Sequence, residues 1–299
     1  MRSQPMIVLT LMVFMGGSAI ALGGETPADR GAGCAEWNTV DFFKQASVEE
    51  VTACLESGAD PNDRDAKGRI PLHLAAAHTQ RPAVIAALIQ AGADFRSVGR
   101  NGENPLHRAA AINENPGVVA ALLEAGANPR ARAHGKHGRT PLDMAAEQNT
   151  NPEVLDALLK AGADPKSKNR FGLTPLHFAA RGNSNPAIIT ALVKAGADPN
   201  AHGDKYPSRQ TPLFHAIEWG AHPAIVSALV EAGADPNART GTFRVGKTPL
   251  TQAIKSNAHP EVIDILIEAG GDPKKRDWSP VLNPVTLPLV AAMVVYIVN

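Results

Sequence analysis

Apolar residues recur along this chain in blocks of constant design. Each block opens on a Pro-Leu pair followed by small apolar residues: IPLHLAA (70–76), NPLHRAA (104–110), TPLDMAA (140–146), TPLHFAA (174–180), TPLFHAI (211–217) and TPLTQAI (248–254). Twelve residues after each start stands an X-Pro pair, from Arg81-Pro82 through Asn115-Pro116, Asn151-Pro152, Asn185-Pro186 and His222-Pro223 to His259-Pro260. A second apolar cluster follows, such as Ile188, Ile189, Leu192 and Val193. Its i, i+1, i+4, i+5 spacing marks one face of a helix. Each block closes on the glycine of an SGAD, AGAD or AGAN motif, and Gly58 closes an incomplete block upstream. The distance from a block's start to its closing glycine is always 22 residues, whereas the distance on to the next start varies from 12 to 15. A constant body with a variable connector predicts a packed pair of antiparallel helices joined to its neighbours by tolerant loops.

The local chemistry agrees. Thr174 is a good N-cap, and Pro175 sits at N1, where a missing N–H costs nothing. Ala179 and Ala180 let a neighbouring helix approach closely. Asn115, Asn151 and Asn185 suit the N-cap of the second helix, whereas Arg81 departs from that logic. Gly196 falls where a left-handed C-cap glycine belongs.

PLHLAA followed by VIAALIQAGAD resembles the ankyrin repeat, a β-turn plus two helices. Six such units cover residues 65–277. The resemblance implies an all-α repeat solenoid of helix–turn–helix pairs joined by β-turn fingers, acting as a protein-binding module. It also implies that His73, His107 and His177 use their rings for local hydrogen bonds. The chain departs from the family pattern in consistent ways. The loop between helices is one residue longer, Pro stands where the family has Val after several GAD motifs, and Asp143, Phe214 and Thr251 replace the usual His.

The ends differ from the repeats. Arg2, the uncharged run Met6–Ala21 and the small-x-small site Ala19-Ile20-Ala21 predict a signal peptide over residues 1–21 and hence export. Residues 22–36 form a linker. Residues 37–64 read as a capping half-repeat of the kind open-ended stacks need, with Asn38 capping a first helix, Trp37 and Phe42 stapling it, and Ser47-Val48-Glu49-Glu50 opening a second. Two cysteines in an exported chain invite a disulfide between Cys34 and Cys54; the alternative is a Cys54 packed as a small apolar residue beside a free Cys34. Residues 278–299 carry no charge and keep the repeat register at Leu287-Pro288-Leu289, so they read as an apolar tail and incomplete seventh unit. A cover is expected for it: a membrane, a second copy or the chain's own fold.

Candidate chemistry is sparse. GTFRVGKT (241–248) matches the phosphate-loop pattern, which needs a buried strand before it and a helix after it. Here a repeat turn precedes it, Gly246 aligns with the turn glycines, and Thr248 with the helix caps, so coincidence is the expectation. His134 and His137 lie among Arg130, Arg132, Lys136 and Arg139, which repel a cation; no metal, cofactor or catalytic set is expected. Charge is the stronger signal. The chain is neutral overall, yet the connectors hold 20 of its 29 basic residues against 11 acids, a net of +9 balanced by −9 elsewhere. Arg69, Lys136, Arg139, Lys168, Arg170, Arg209, Arg244 and Lys247 are therefore the candidate partner-binding residues, on a basic edge facing a protein with an acidic patch. Nucleic acid is not expected as a partner. A periplasmic or extracellular interaction module is the primary expectation. A membrane-associated scaffold held by the tail is the alternative, and a nucleotide-binding enzyme using residues 241–248 is the third reading.

Overall fold

The computed structural model describes residues 33–135, 138–203, 209–240 and 246–272. The proposed signal peptide, the tail from 278 onward, Lys136, His137 and Arg244 lie outside the described residues. Among the described residues the regular elements are helical. After a 3-10 turn at Gly33–Glu36 come α1 (Val40–Gln45), α2 (Val48–Glu56), α3 (Pro71–His78), α4 (Pro82–Gln90), α5 (Pro105–Ile112), α6 (Pro116–Glu124) and α7 (Pro141–Gln148). The series continues with α8 (Pro152–Lys160), α9 (Pro175–Gly182), α10 (Pro186–Lys194), α11 (Pro212–Glu218), α12 (Pro223–Glu231), α13 (Pro249–Lys255) and α14 (Pro260–Glu268).

Odd-numbered helices pack on odd, even on even, and the two helices of each full unit pack on each other, which makes a stack with two helical layers. No single unit can bury its own apolar face, so the core runs through the stack. In the second full unit Leu106, Ala109, Ala110, Val118, Val119 and Leu122 are completely buried. Burying each Leu or Val contributes roughly 1.5–3 kcal/mol. The alanines keep the first helices close. Every full unit starts with Pro at N1, and Thr140 and Thr211 accept the amides of Asp143 and Phe214 as side-chain caps. Each unit ends on a glycine with φ between 84° and 99°, where a Cβ would be strained.

The longer inter-helix loop has a specific use. Buried Asn113 donates from Nδ2 to the carbonyls of Ala76 and Thr79 in the preceding unit, Asn149 to those of Ala110 and Asn113, and Asn183 to those of Ala146 and Asn149. Each also accepts the amide two residues on, which positions the N-cap Asn of the second helix. The ladder stops where Gly220 and Asn257 take positive φ instead. Arg81 does not cap α4; its guanidinium donates to the carbonyls of Gln45 and Ala46 and ties the first full unit to the half-unit before it.

At the N-terminal end Ser47 and Glu50 form the expected capping box. The cap of α1 is Thr39 rather than Asn38: Thr39 has extended backbone and accepts the amide of Phe42, while Asn38 occupies a left-handed turn at φ 66° and donates to the Asp63 carbonyl. Trp37 packs against Phe42 and Phe43 at 5.6 and 5.7 Å between ring centroids. It thus belongs to an aromatic plug and not to a simple staple. In the structure the Cys34 and Cys54 sulfurs are bonded and Cys54 is buried.

Candidate functional site

The connectors project as fingers from the starts of the odd-numbered helices. Each closes with one backbone bond: Asp65 N–H to Arg69 O, Gly99 to Glu103, Ala133 to Arg139, Asn169 to Leu173, Gly203 to Gln210 and Thr240 to Lys247. The closing pair keeps its place relative to the next helix. In the longer connectors the extra residues fall, in sequence, between the two members of this pair, which is how the spacing varies without disturbing the stack. Asp60, Asp94, Asp164, Asp198 and Asp235 each accept the amide two residues on with Oδ1, so the motif acids are turn residues.

Much of the basic charge is used to hold adjacent fingers together. The fourth residue after the motif acid reaches its own finger or the same position of the next. Arg64 donates to the carbonyls of Gly68 and Val98, Arg132 to those of Gly138 and Lys168, Lys168 to that of His202, and Arg239 to that of Gly246. Arg130 donates to the Gly162 carbonyl. The recurrence of Arg or Lys at this position was visible in the sequence; its direction along the stack was not.

The proposed partner-binding residues fall into three groups. Arg69 pairs with Asp65 at 2.6 Å across its own finger, and Arg139 pairs with Glu147 while lying over the Phe178 ring at 5.4 Å. Both are largely committed to internal partners. Lys168 and Arg209 share the wall of a cleft of about 680 Å³ with Lys166, Asp198, Asn200 and His202. Arg170 is exposed at a finger tip, and Lys247 is exposed with its amine donating to Gln252 Oε1 at 3.2 Å. A smaller cleft of about 340 Å³ brings Arg69 together with Lys67, Arg100 and Arg108 between the first two fingers.

Sequence reasoning passed over an exposed aromatic–arginine cluster at the ends of the first helices. Trp219 is 58% exposed, and the Arg181 guanidinium lies 4.8 Å over its ring. Arg181 also pairs at 2.9 Å with Glu147, so Arg139, Glu147, Arg181 and Trp219 form one connected row across three units. Aromatic and Arg side chains so placed are common binding anchors. The available signal was a Trp at a position where other units carry His78, Ile112, Gln148, Gly182 or Ser256.

The buried histidines serve the fold. In His73, His107 and His177 Nδ1 accepts the amide of the residue that caps the same helix. Nε2 then faces the carbonyl of Glu103, Arg139 or Gln210 in the next finger, at 3.0–3.2 Å, and donates to it. One of the two bonds is local, as the family resemblance implied; the other links units. Burial pushes His73 and His107 down to about 4 and His177 to about 3, which keeps the rings neutral as this pattern requires. At residues 246–248 the phosphate-loop match resolves into repeat features. A Cβ on Gly246 would collide with the Thr240 carbonyl, and the Thr248 hydroxyl accepts the Thr251 amide as a helix cap. Among the described residues no three His, Cys, Asp or Glu side chains gather as metal ligands would, and no helix is long and apolar enough to cross a membrane.

Paired helices in a continuous stack, with projecting fingers and a first-helix face beside them, define a repeat scaffold. The family model of ankyrin repeats in three copies matches residues 42–133, 82–169, 142–240 and 202–277, and the chain belongs to the ankyrin repeat family. Its structure is similar to the crystal structure of the human ASB11 ankyrin repeat domain, with a TM-score of 0.64 at 23% identity over 78% of this chain and 98% of that one. No curated protein matches the chain. Ankyrin repeats are protein–protein interaction modules and a non-enzymatic scaffold.

Proposed function

We propose that this chain is an exported adaptor that docks an acidic surface of a partner protein on its finger edge, with the Trp219–Arg181 row as the adjoining anchor. The observation that carries the reading is the set of exposed finger cations: Lys67, Arg100, Arg170 and Lys247, with Lys168 and Arg209 in a shared cleft. Cations held on a braced edge steer an oppositely charged partner and fix its register. The apolar leader with its small-x-small site supports a periplasmic or extracellular workplace, and so does the Cys34–Cys54 pairing.

The test is affinity capture from the exported fraction of the source cells, with crosslinks mapped on the chain. Lys67, Lys168, Arg170 and Arg209 are changed together to Ser; Arg139 is left alone because it holds Glu147. The captured protein is expected to crosslink to the fingers and to lose roughly 10-fold or more in affinity on the quadruple change, with a smaller loss on raising salt. An affinity that ignores both would move the binding site off the fingers.

A further inference from the structure

The two ends of the stack are finished differently. At the N-terminal end Trp37, Phe42 and Phe43 close the core, and Phe43 is completely buried. At the other end no further unit packs on the last one among the described residues. Ile85, Val119, Leu155, Ile189 and Val226 occupy one position of the second helix and are all fully buried, but Ile263 at the same position is partly exposed. On the first helix Ala76, Ala110, Ala146, Ala180 and Ile217 are buried, and their counterpart Ile254 is partly exposed. Thr251 is partly exposed where His73, His107, Asp143, His177 and Phe214 are buried. Three neighbouring positions thus lose the cover that the next unit supplies everywhere else.

The chain leaves this end as if another unit followed. Asn62 donates to the Gly92 carbonyl and accepts the Asp94 amide, and Asn200 does the same for Gly233 and Asp235. Asn237 repeats both bonds with Gly270 and Asp272. The exit is therefore aimed along the finger edge as at an interior junction.

We propose that the apolar segment 287–298, which lies outside the described residues, is the occupant that docks on Ile254 and Ile263 and closes the stack. The sequence register matches at both positions that never vary. Leu289 falls where Leu72, Leu106, Leu142, Leu176, Leu213 and Leu250 stand, and Ala292 falls where Ala75, Ala109, Ala145, Ala179, Ala216 and Ala253 stand. Those leucines and alanines are all buried to 1% exposure or less. Pro288 takes the N1 place held by Pro in all six full units. The stretch from Gly270 to Leu287 is 17 residues, two more than the longest interior connector, and the fingers take up such additions between the two members of their closing pair. Val294, Val295 and Ile297 supply the apolar surface that an interior second helix would otherwise bring to the junction. Attachment to the same chain makes this occupant favoured over a second copy, because its local concentration does not fall on dilution.

Hydrogen exchange on the full chain tests this. Amides of 287–298 are expected to exchange at least ~10-fold more slowly than unprotected amides, independent of protein concentration and without lipid. Ile254→Lys with Ile263→Lys is expected to abolish that protection while amides of α3 to α10 keep theirs, which shows that the stack still folds. Unprotected tail amides in the unaltered chain would overturn the proposal. So would protection that vanishes on dilution, which assigns the face to a second copy, or protection that arises only with anionic phospholipid vesicles.

Discussion

Asp143 stands where three other units bury a histidine, and the exchange has a measurable cost. Its Oδ2 accepts the Thr140 amide at 2.8 Å, as a ring Nδ1 does, but Oδ1 is buried and has no hydrogen-bond partner. The side chain is 1% exposed. Burial pushes the carboxyl up to about 6 from its ordinary 3.8, against the opposing pull of the Thr140 bonds and of the Arg132 and Arg139 charges. The folded protein therefore binds this proton more tightly than the unfolded chain. Stability from this group is fully present below about pH 3.8 and is lost as pH rises through about 6. At about 1.36 kcal/mol per pH unit the loss reaches roughly 3 kcal/mol, and about half of it accrues between pH 5 and 8. Asp143→Asn keeps the acceptor for Thr140 and removes the charge. Urea unfolding of both chains by circular dichroism, with hydrogen exchange in α7 and α9, should show the variant gaining about 1.5 kcal/mol on the unaltered chain between pH 5 and pH 8. Asp143→His should give the same sign, since Nε2 would be placed to donate to the next finger by the register of His107 and His177. A difference between Asn and Asp chains that stays flat with pH would refute the reasoning.

Three further outcomes follow from the geometry. His73, His107 and His177 are held neutral when folded, so stability should fall as pH drops from about 6.5 through about 4, opposite in sign to Asp143; acid titration of the Asp143→Asn chain by circular dichroism checks it, and constant stability across that window would contradict it. Non-reducing mass spectrometry should find Cys34 joined to Cys54, and Cys34→Ser with Cys54→Ser should cost roughly 3 kcal/mol for a loop of this size; two free thiols in the native chain would exclude the bond. Asn149→Ala strands two buried carbonyls and one amide, so it should cost about 2–4 kcal/mol in chemical unfolding, whereas the half-buried cap change Asn151→Ala should cost about 1.

The repeat, its helix pairs and its caps were legible in sequence because they are local. Pro at N1, Thr at the cap and Gly at the left-handed C-cap act through bonds within a few residues, and the 22-residue body repeats often enough to exclude accident. The phosphate-loop match could be set aside for the same reason: its Gly246 and Thr248 each had a place in the repeat. What sequence could not supply was direction between units. Arg69 and Arg139 were read as free cations, yet Asp65 lies within the same finger and Glu147 one helix on, and only the fold brings each pair together. Thr39 replaced Asn38 as a cap because a left-handed turn at Asn38 shifts the helix start by one residue, and both residues are good caps in isolation. The Asn113–Asn149–Asn183 ladder, the Arg64–Lys168 bracing and the Arg181–Trp219 stack join residues some 34 to 39 positions apart. Sequence determined which side chains each unit offers. The stacking of units decided which are spent on neighbours and which remain for a partner, because burial and pairing are properties of the junction and not of the repeat.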